Sequence, residues 1–130
     1  MSLLVPTVGL NAFLTLNLAS DLTLKLYSNN RTPALTNVAS DYTVVAGGGY
    51  ANITLTGGAW SIASGVATFA TQTFTFTGAT NSPGTVYGYY VVNGAGTLMF
   101  AERFPTVPFT PANGTNITIT PRIVLANAVP

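Results

Sequence analysis

Apolar and polar residues alternate along most of this chain in short runs. LTLKLYS (22–28) sets Leu22, Leu24 and Leu26 against Thr23, Lys25 and Tyr27, and TQTFTFTG (71–78) alternates threonine with phenylalanine. A period of two predicts half-buried strands. Further strand signals lie in DYTVV (41–45) and YANITLT (50–56), which flank a turn at Gly47–Gly49, and on either side of Gly65 in AWSIASGVATFA (59–70). TVYGYYVVN (85–93), GTLMFAERF (96–104) and TNITITPRIVLA (115–126) complete the series. SNNRTPAL (28–35) and NSPG (81–84) read as turns, and NGAG (93–96) as a hairpin link between two strong strands.

One segment departs from this period. PTVGLNAFLTLNLAS (6–20) places Leu10, Phe13, Leu14, Asn17 and Leu18 at helical spacing, with Pro6 near the start and Thr7 available as a cap. Residues 13–18 also fit a strand with Phe13 out of phase; the helix is the preferred reading. The predicted organisation is an N-terminal arm or short helix (1–20), a β domain (21–126) and a C-terminal tail (127–130). About eight short strands divided by Gly, Pro and Asn predict an all-β fold, an antiparallel β-sandwich or small barrel.

Composition narrows the chemistry. The 130 residues include no cysteine and no histidine. Disulfides, thiolate zinc sites and cysteine nucleophiles are therefore excluded, as are the usual general base and the commonest transition-metal ligand. Only 5% of residues are charged, against about 25% in an average soluble domain. A net charge of +1 offers no basic stripe for nucleic acid. A surface with so little charge is poorly protected against association, which predicts a subunit of an assembly.

No charge occurs between Tyr42 and Ala101, so a membrane reading arises. Threonine, glycine, asparagine and serine interrupt every apolar run before the roughly 18–20 residues of a spanning helix accumulate. An outer-membrane barrel would share the alternation but would need export, and the opening MSLLVPTVGLNAF has no basic n-region.

Carboxylates come only from Asp21, Asp41 and Glu102, and turn-forming roles suit the two aspartates. Lys25 has no serine–lysine motif around it. AGGGYAN (46–52) lacks the spacing of a dinucleotide fingerprint and the lysine of a P-loop. Four N-x-T sequons, at Asn30, Asn52, Asn113 and Asn116, mean little without export. The residues thus predict no catalytic site, no cofactor and no metal. Trp60, Tyr87, Tyr89 and Tyr90 could form a carbohydrate platform. Alternation instead puts Tyr87 and Tyr89 with Val91 on one apolar face and Tyr90 with Val86 and Val92 on the other, as in a central strand.

Glu102 and Arg103 stand adjacent in an apolar run, so a strand sends them to opposite faces and they cannot pair with each other. Glu102 shares its face with Leu98, Phe100 and Phe104, where an unpaired carboxylate is costly. Arg122, on the next strand of a simple meander, is the first candidate partner; Arg31, Lys25 and a neighbouring subunit are the others. This predicts a partly buried Glu102–Arg122 ion pair, with a bulge near Pro121 turning Arg122 inward. Arg103 would face outward. Leu3, Leu4, Val5, Leu10, Phe13 and Arg103 are the candidate interface residues.

GLNAFLTLNL leading into LKLYSNNRTP, then GGGYANITL, VYGYYVVNGAGTLMFAERF and the closing ITITPRIVL, resembles small virion structural proteins of tailed bacteriophages, of the capsid cement or decoration type. The resemblance runs from about residue 9 to 125. It implies a non-enzymatic β-rich subunit made in the host cytoplasm and placed on the capsid surface, with the major capsid protein and further copies of itself as partners. A ring of three is the expected number, because cement proteins often occupy three-fold positions. A tail or fibre-associated subunit and a carbohydrate- or receptor-binding module are the competing readings.

Overall fold

The alternating runs form antiparallel sheets, as the pattern predicts. The computed structural model describes residues 3–127; of the expected C-terminal tail, residues 128–130 lie outside it. Helix α1 (Thr7–Asn17) is followed by β1 (Leu22–Tyr27), a 3-10 turn (Ala39–Asp41), β2 (Ile53–Leu55), β3 (Ser61–Ala63) and β4 (Val66–Thr68). Strands β5 (Gln72–Thr75), β6 (Gly88–Val92), β7 (Leu98–Arg103), β8 (Asn116–Ile119) and β9 (Arg122–Val124) complete the order. Three sheets result, with strand orders β2-β1-β6-β7, β3-β4-β9 and β5-β8. The fold is all-β with one short N-terminal helix.

Alternation decides what each strand buries. Leu22, Leu24 and Leu26 of β1 join Leu55, Val91 and Tyr89 in the main core, together with Ala67, Phe74 and Ile119 from the other two sheets and Leu14 and Leu18 from α1. The opposite face of the four-stranded sheet holds a second cluster of Tyr27, Tyr42, Tyr90 and Val92. Both faces of β6 are therefore buried, as expected for a central strand.

The β3–β4 hairpin turns at Ser64 and Gly65, both at positive φ (52° and 73°). A two-residue turn of that hand matches the twist of its strands, and glycine adopts it without strain.

Three expectations need correction. Residues 41–45 are not a strand: after the 3-10 turn only Val44 bridges to Tyr27, while Tyr42 turns down onto the outer sheet face and stacks on Tyr90 with ring centres 5.1 Å apart. Tyr87 does not share a face with Tyr89. It packs with the Tyr27 cluster, and Val86, bridged to Phe109, enters the main core instead. The alternation shifts at Gly88, where the Tyr27 ring crosses so closely that a Cβ would lie 2.6 Å from its hydroxyl.

Residues 115–126 also divide, because Pro121 lacks the N–H to continue a ladder. Thr68 pairs with Arg122 and Gln72 with Ile119, which leaves three residues, 69–71, opposite two, 120–121. The extra residue lies on the 69–71 side, opposite Pro121, and not in the segment that carries Arg122, where the bulge was expected. It does not bring Arg122 to Glu102, because β7 pairs with β6 alone while β8 pairs with β5 and β9 with β4.

Candidate interaction surface

Helix α1 carries apolar residues on two opposite sides, with Thr7, Asn11, Thr15 and Asn17 among them, and the two sides have different fates. Pro6 occupies the N-cap with no side-chain bond, and Thr7 is the first helical residue rather than the cap. Leu10, Asn11, Leu14 and Leu18 face inward. Asn11 accepts the Gly65 N–H at 2.8 Å, so the helix caps the β3–β4 turn, and the Gly58 N–H donates to the Leu18 carbonyl at 2.9 Å. The segment is thus built into the domain, with Leu14 and Leu18 in the core; it is not an arm that leaves it.

The other face is uncovered. Val8 is 81% exposed, Leu16 76% and Phe13 52%, and the preceding Leu3 and Leu4 are 88% and 75% exposed. Val5 is tied down by Asn127, which accepts its N–H at 2.8 Å and donates to its carbonyl at 3.0 Å. Of the candidate interface residues, Leu3, Leu4 and Phe13 lie on this surface, whereas Leu10 turns inward. Val8 and Leu16 were missed; the signal was available in the helical wheel, where Val8, Ala12, Phe13 and Leu16 form one arc. Beside the helix, Leu14, Asn17, Leu18, Leu22, Met99, Phe100 and Ile123 line a mostly apolar pocket of about 170 Å³.

Most of the scarce charges lie elsewhere and are engaged within the molecule. On the outer face of the four-stranded sheet, the Lys25 ammonium lies 5.9 Å from the Tyr90 ring centre and the Arg103 guanidinium 5.2 Å from that of Tyr87. Arg103 also donates to the Arg31 carbonyl at 3.0 Å, and the Tyr27 hydroxyl donates to the same oxygen at 3.0 Å. Arg31 and Asp41, each about one-third exposed, form the only ion pair among the described residues, at 3.5 Å. Together these contacts fasten the 28–44 loop over the tyrosines. Asp21 accepts the Gly57 N–H at 2.7 Å.

Glu102 is exposed and accepts the Tyr89 hydroxyl at 2.6 Å. Arg122 is exposed on β9, and no ion pair joins the two. The expected buried Glu102–Arg122 pair is therefore absent. Neutral Tyr89, its register partner, satisfies the carboxylate without a second charge. Arg103, expected to face outward, lies half-buried against Tyr87.

Burial raises the Tyr89 pKa, with the Glu102 hydrogen bond and negative charge acting in the same direction. Tyr50 is also raised, chiefly by burial, and burial pushes Tyr27 up to about 12. Tyr89, Tyr90 and Trp60 are buried, so the suggested carbohydrate platform has no exposed rings from these three.

The three carboxylates meet different partners, and among the described residues no cluster of acidic side chains could hold a metal ion. No helix among them is long and apolar enough to cross a membrane. The chain matches no protein-family model, and comparisons with curated proteins and solved structures give no match.

Proposed function

We propose that this chain is a non-enzymatic structural subunit of a virus particle, which binds the outside of an assembled capsid and joins neighbouring major capsid subunits. Its place is then the capsid surface, reached after synthesis in the host cytoplasm. The reading rests on the resemblance to phage cement and decoration proteins and on one structural observation. Lys25, Arg31, Asp41, Glu102 and Arg103 all make contacts inside the molecule, which leaves most of the surface to threonine, asparagine, glycine and apolar groups. A freely diffusing domain uses surface charge to keep copies apart, whereas a subunit packed on a lattice is held by its neighbours. A cement protein stabilises a particle by binding the assembled form better than the free subunits, and many copies multiply a modest contact.

The test is the copy number of this chain in purified virions, measured by quantitative mass spectrometry. The expected result is a number that matches the symmetry of the capsid lattice. A few copies per particle would favour a tail or fibre position, and absence from virions would overturn the reading.

A further inference from the structure

The outer face of α1 poses a separate problem, which arises whether or not the chain belongs to a particle. A surface helix normally turns its apolar side inward and leaves its polar side to solvent. Here the inner face meets β3 and β4, while Val8 and Leu16, with Leu3 and Leu4 before them, are at least three-quarters exposed and Phe13 about half exposed. Their exposed side chains amount to on the order of 600 Å², most of the ~800 Å² that each partner of a standard interface buries. Something of comparable size and polarity fits over them.

We propose that the outer face of α1 is a two-fold interface between two copies of this chain, with Phe13 of each copy entering the pocket beside α1 of the other. Three features favour a second copy. The first charged residue in the sequence is Asp21, so α1 and the segment before it carry none. A two-fold axis sets a surface against itself, and any charge near the axis would meet its own copy; this surface has none to repel. Phe13, at the edge of the exposed arc, lies one turn before Asn17, which lines an apolar pocket with the inward-facing Leu14 and Leu18, so ring and pocket are neighbours on one flank of the helix. A knob and a hole side by side make a patch self-complementary, which an isologous contact requires. The pocket's 170 Å³ is also large enough for a phenyl ring, since an apolar cavity of roughly 150 Å³ accepts benzene. A lipid surface fits less well, because helices that lie on membranes carry Lys or Arg along their polar side and α1 has neither.

Sedimentation equilibrium of the full chain tests the proposal directly. Dimers are expected, with Phe13→Asp and Leu16→Lys each weakening association at least 100-fold while circular dichroism and thermal midpoint stay close to wild type. If Phe13→Asp fails to fold, Leu16→Lys tests the same face from a more exposed position. The chain has no cysteine, so Ala12→Cys gives a single reporter at the middle of the exposed arc. Oxidation should link it to its own copy, whereas Thr54→Cys, away on β2, should stay monomeric on a denaturing gel. A monomer at every concentration, a trimer, variants that associate like wild type, or a monomer that floats with phosphatidylcholine vesicles would each overturn the proposal.

Discussion

The Tyr89 hydroxyl donates to the Glu102 carboxylate at 2.6 Å, from directly opposite positions on β6 and β7. This contact answers the question posed by a glutamate in an apolar run. Glu102 leaves the sheet face at the exposed end of an edge strand and needs only the phenol below it. Removing a buried ion-pair partner would cost about 3–5 kcal/mol. A single hydrogen bond to a solvent-accessible carboxylate predicts about 1 kcal/mol for either Tyr89→Phe or Glu102→Ala. The double mutant should lose less than the two single losses combined. Glu102→Ala and Arg122→Ala should instead be additive. Chemical denaturation of the six proteins checks both cycles, and coupling between Glu102 and Arg122 would contradict the geometry.

The sequence disclosed local structure better than pairing. Leu22, Leu24 and Leu26, the faultless alternation of 71–76, the glycine in the β3–β4 turn and the helical spacing of Leu10, Leu14 and Leu18 each reflect a preference contained within a few residues. Two failures arose where distant groups decided the outcome. DYTVV has strand composition, yet Tyr42 packs edge-to-face on Tyr27 and stacks on Tyr90 instead of continuing a ladder. The Glu102–Arg122 pair assumed that successive strands are neighbours, but the chain after β7 returns to β5 and β4 and leaves β7 at an edge. Nothing within either segment encodes that return. The exposed apolar arc of α1 was legible in part: its composition was visible, but which side would dock depended on Asn11 finding the Gly65 N–H.

Burial of tyrosine links stability to alkaline pH. Tyr27 is fully buried and its pKa is pushed up to about 12, from 10.0 in an exposed phenol. Below pH 10 the group is protonated in both states and its contribution is fully present. Between pH 10 and 12 the unfolded chain loses the proton while the folded chain keeps it, so the unfolded state is favoured. Stability should therefore fall across this window, by on the order of 2 kcal/mol for Tyr27 alone. Tyr50 and Tyr89 act in the same direction. Tyrosinate absorbance should rise near pH 10 in urea but later in the native protein until unfolding intervenes. Native phenols that all ionise near pH 10 would rule out this linkage.

Gly88 and Gly94 make a matched test of close packing. A Cβ on Gly88 would meet the Tyr27 hydroxyl at 2.6 Å and its ring carbon at 2.7 Å, against main chain on the other side. At Gly94, in the β6–β7 turn, no atom lies within 4 Å of the added carbon. Gly88→Ala should destabilise the fold by about 3 kcal/mol through overpacking. Gly94→Ala should change it by less than about 0.5 kcal/mol, as surface substitutions generally do. Equal thermal midpoints for the two variants would mean that Tyr27 does not cross the sheet at Gly88.

Arg103 fastens the 28–44 loop from the far edge of the sheet. Its guanidinium reaches across to the Arg31 carbonyl at 3.0 Å while lying over the Tyr87 ring, so it holds a loop residue 72 positions away. The loop is also held by Tyr42 stacked on Tyr90 and by local bonds: Asn29 accepts the Thr43 N–H at 2.9 Å, and the Ser28 N–H donates to the Thr43 carbonyl at 2.8 Å. Arg103→Ala removes a charged hydrogen bond and a cation–π contact, together worth about 1–2 kcal/mol at a partly exposed site. Loss of a tie to a loop lowers the free energy of local opening more than that of global unfolding. Amide exchange at Ser28 and Thr43 should therefore accelerate roughly tenfold, since each 1.4 kcal/mol is a factor of ten. Protection in the main core, at Leu24 and Val91, should change little. Arg103→Lys should recover only part of the effect, because an ammonium lacks the planar fork that bonds and stacks at once. Uniform acceleration across the loop and the β1–β6 pair would instead mean that the loop opens only with the whole domain.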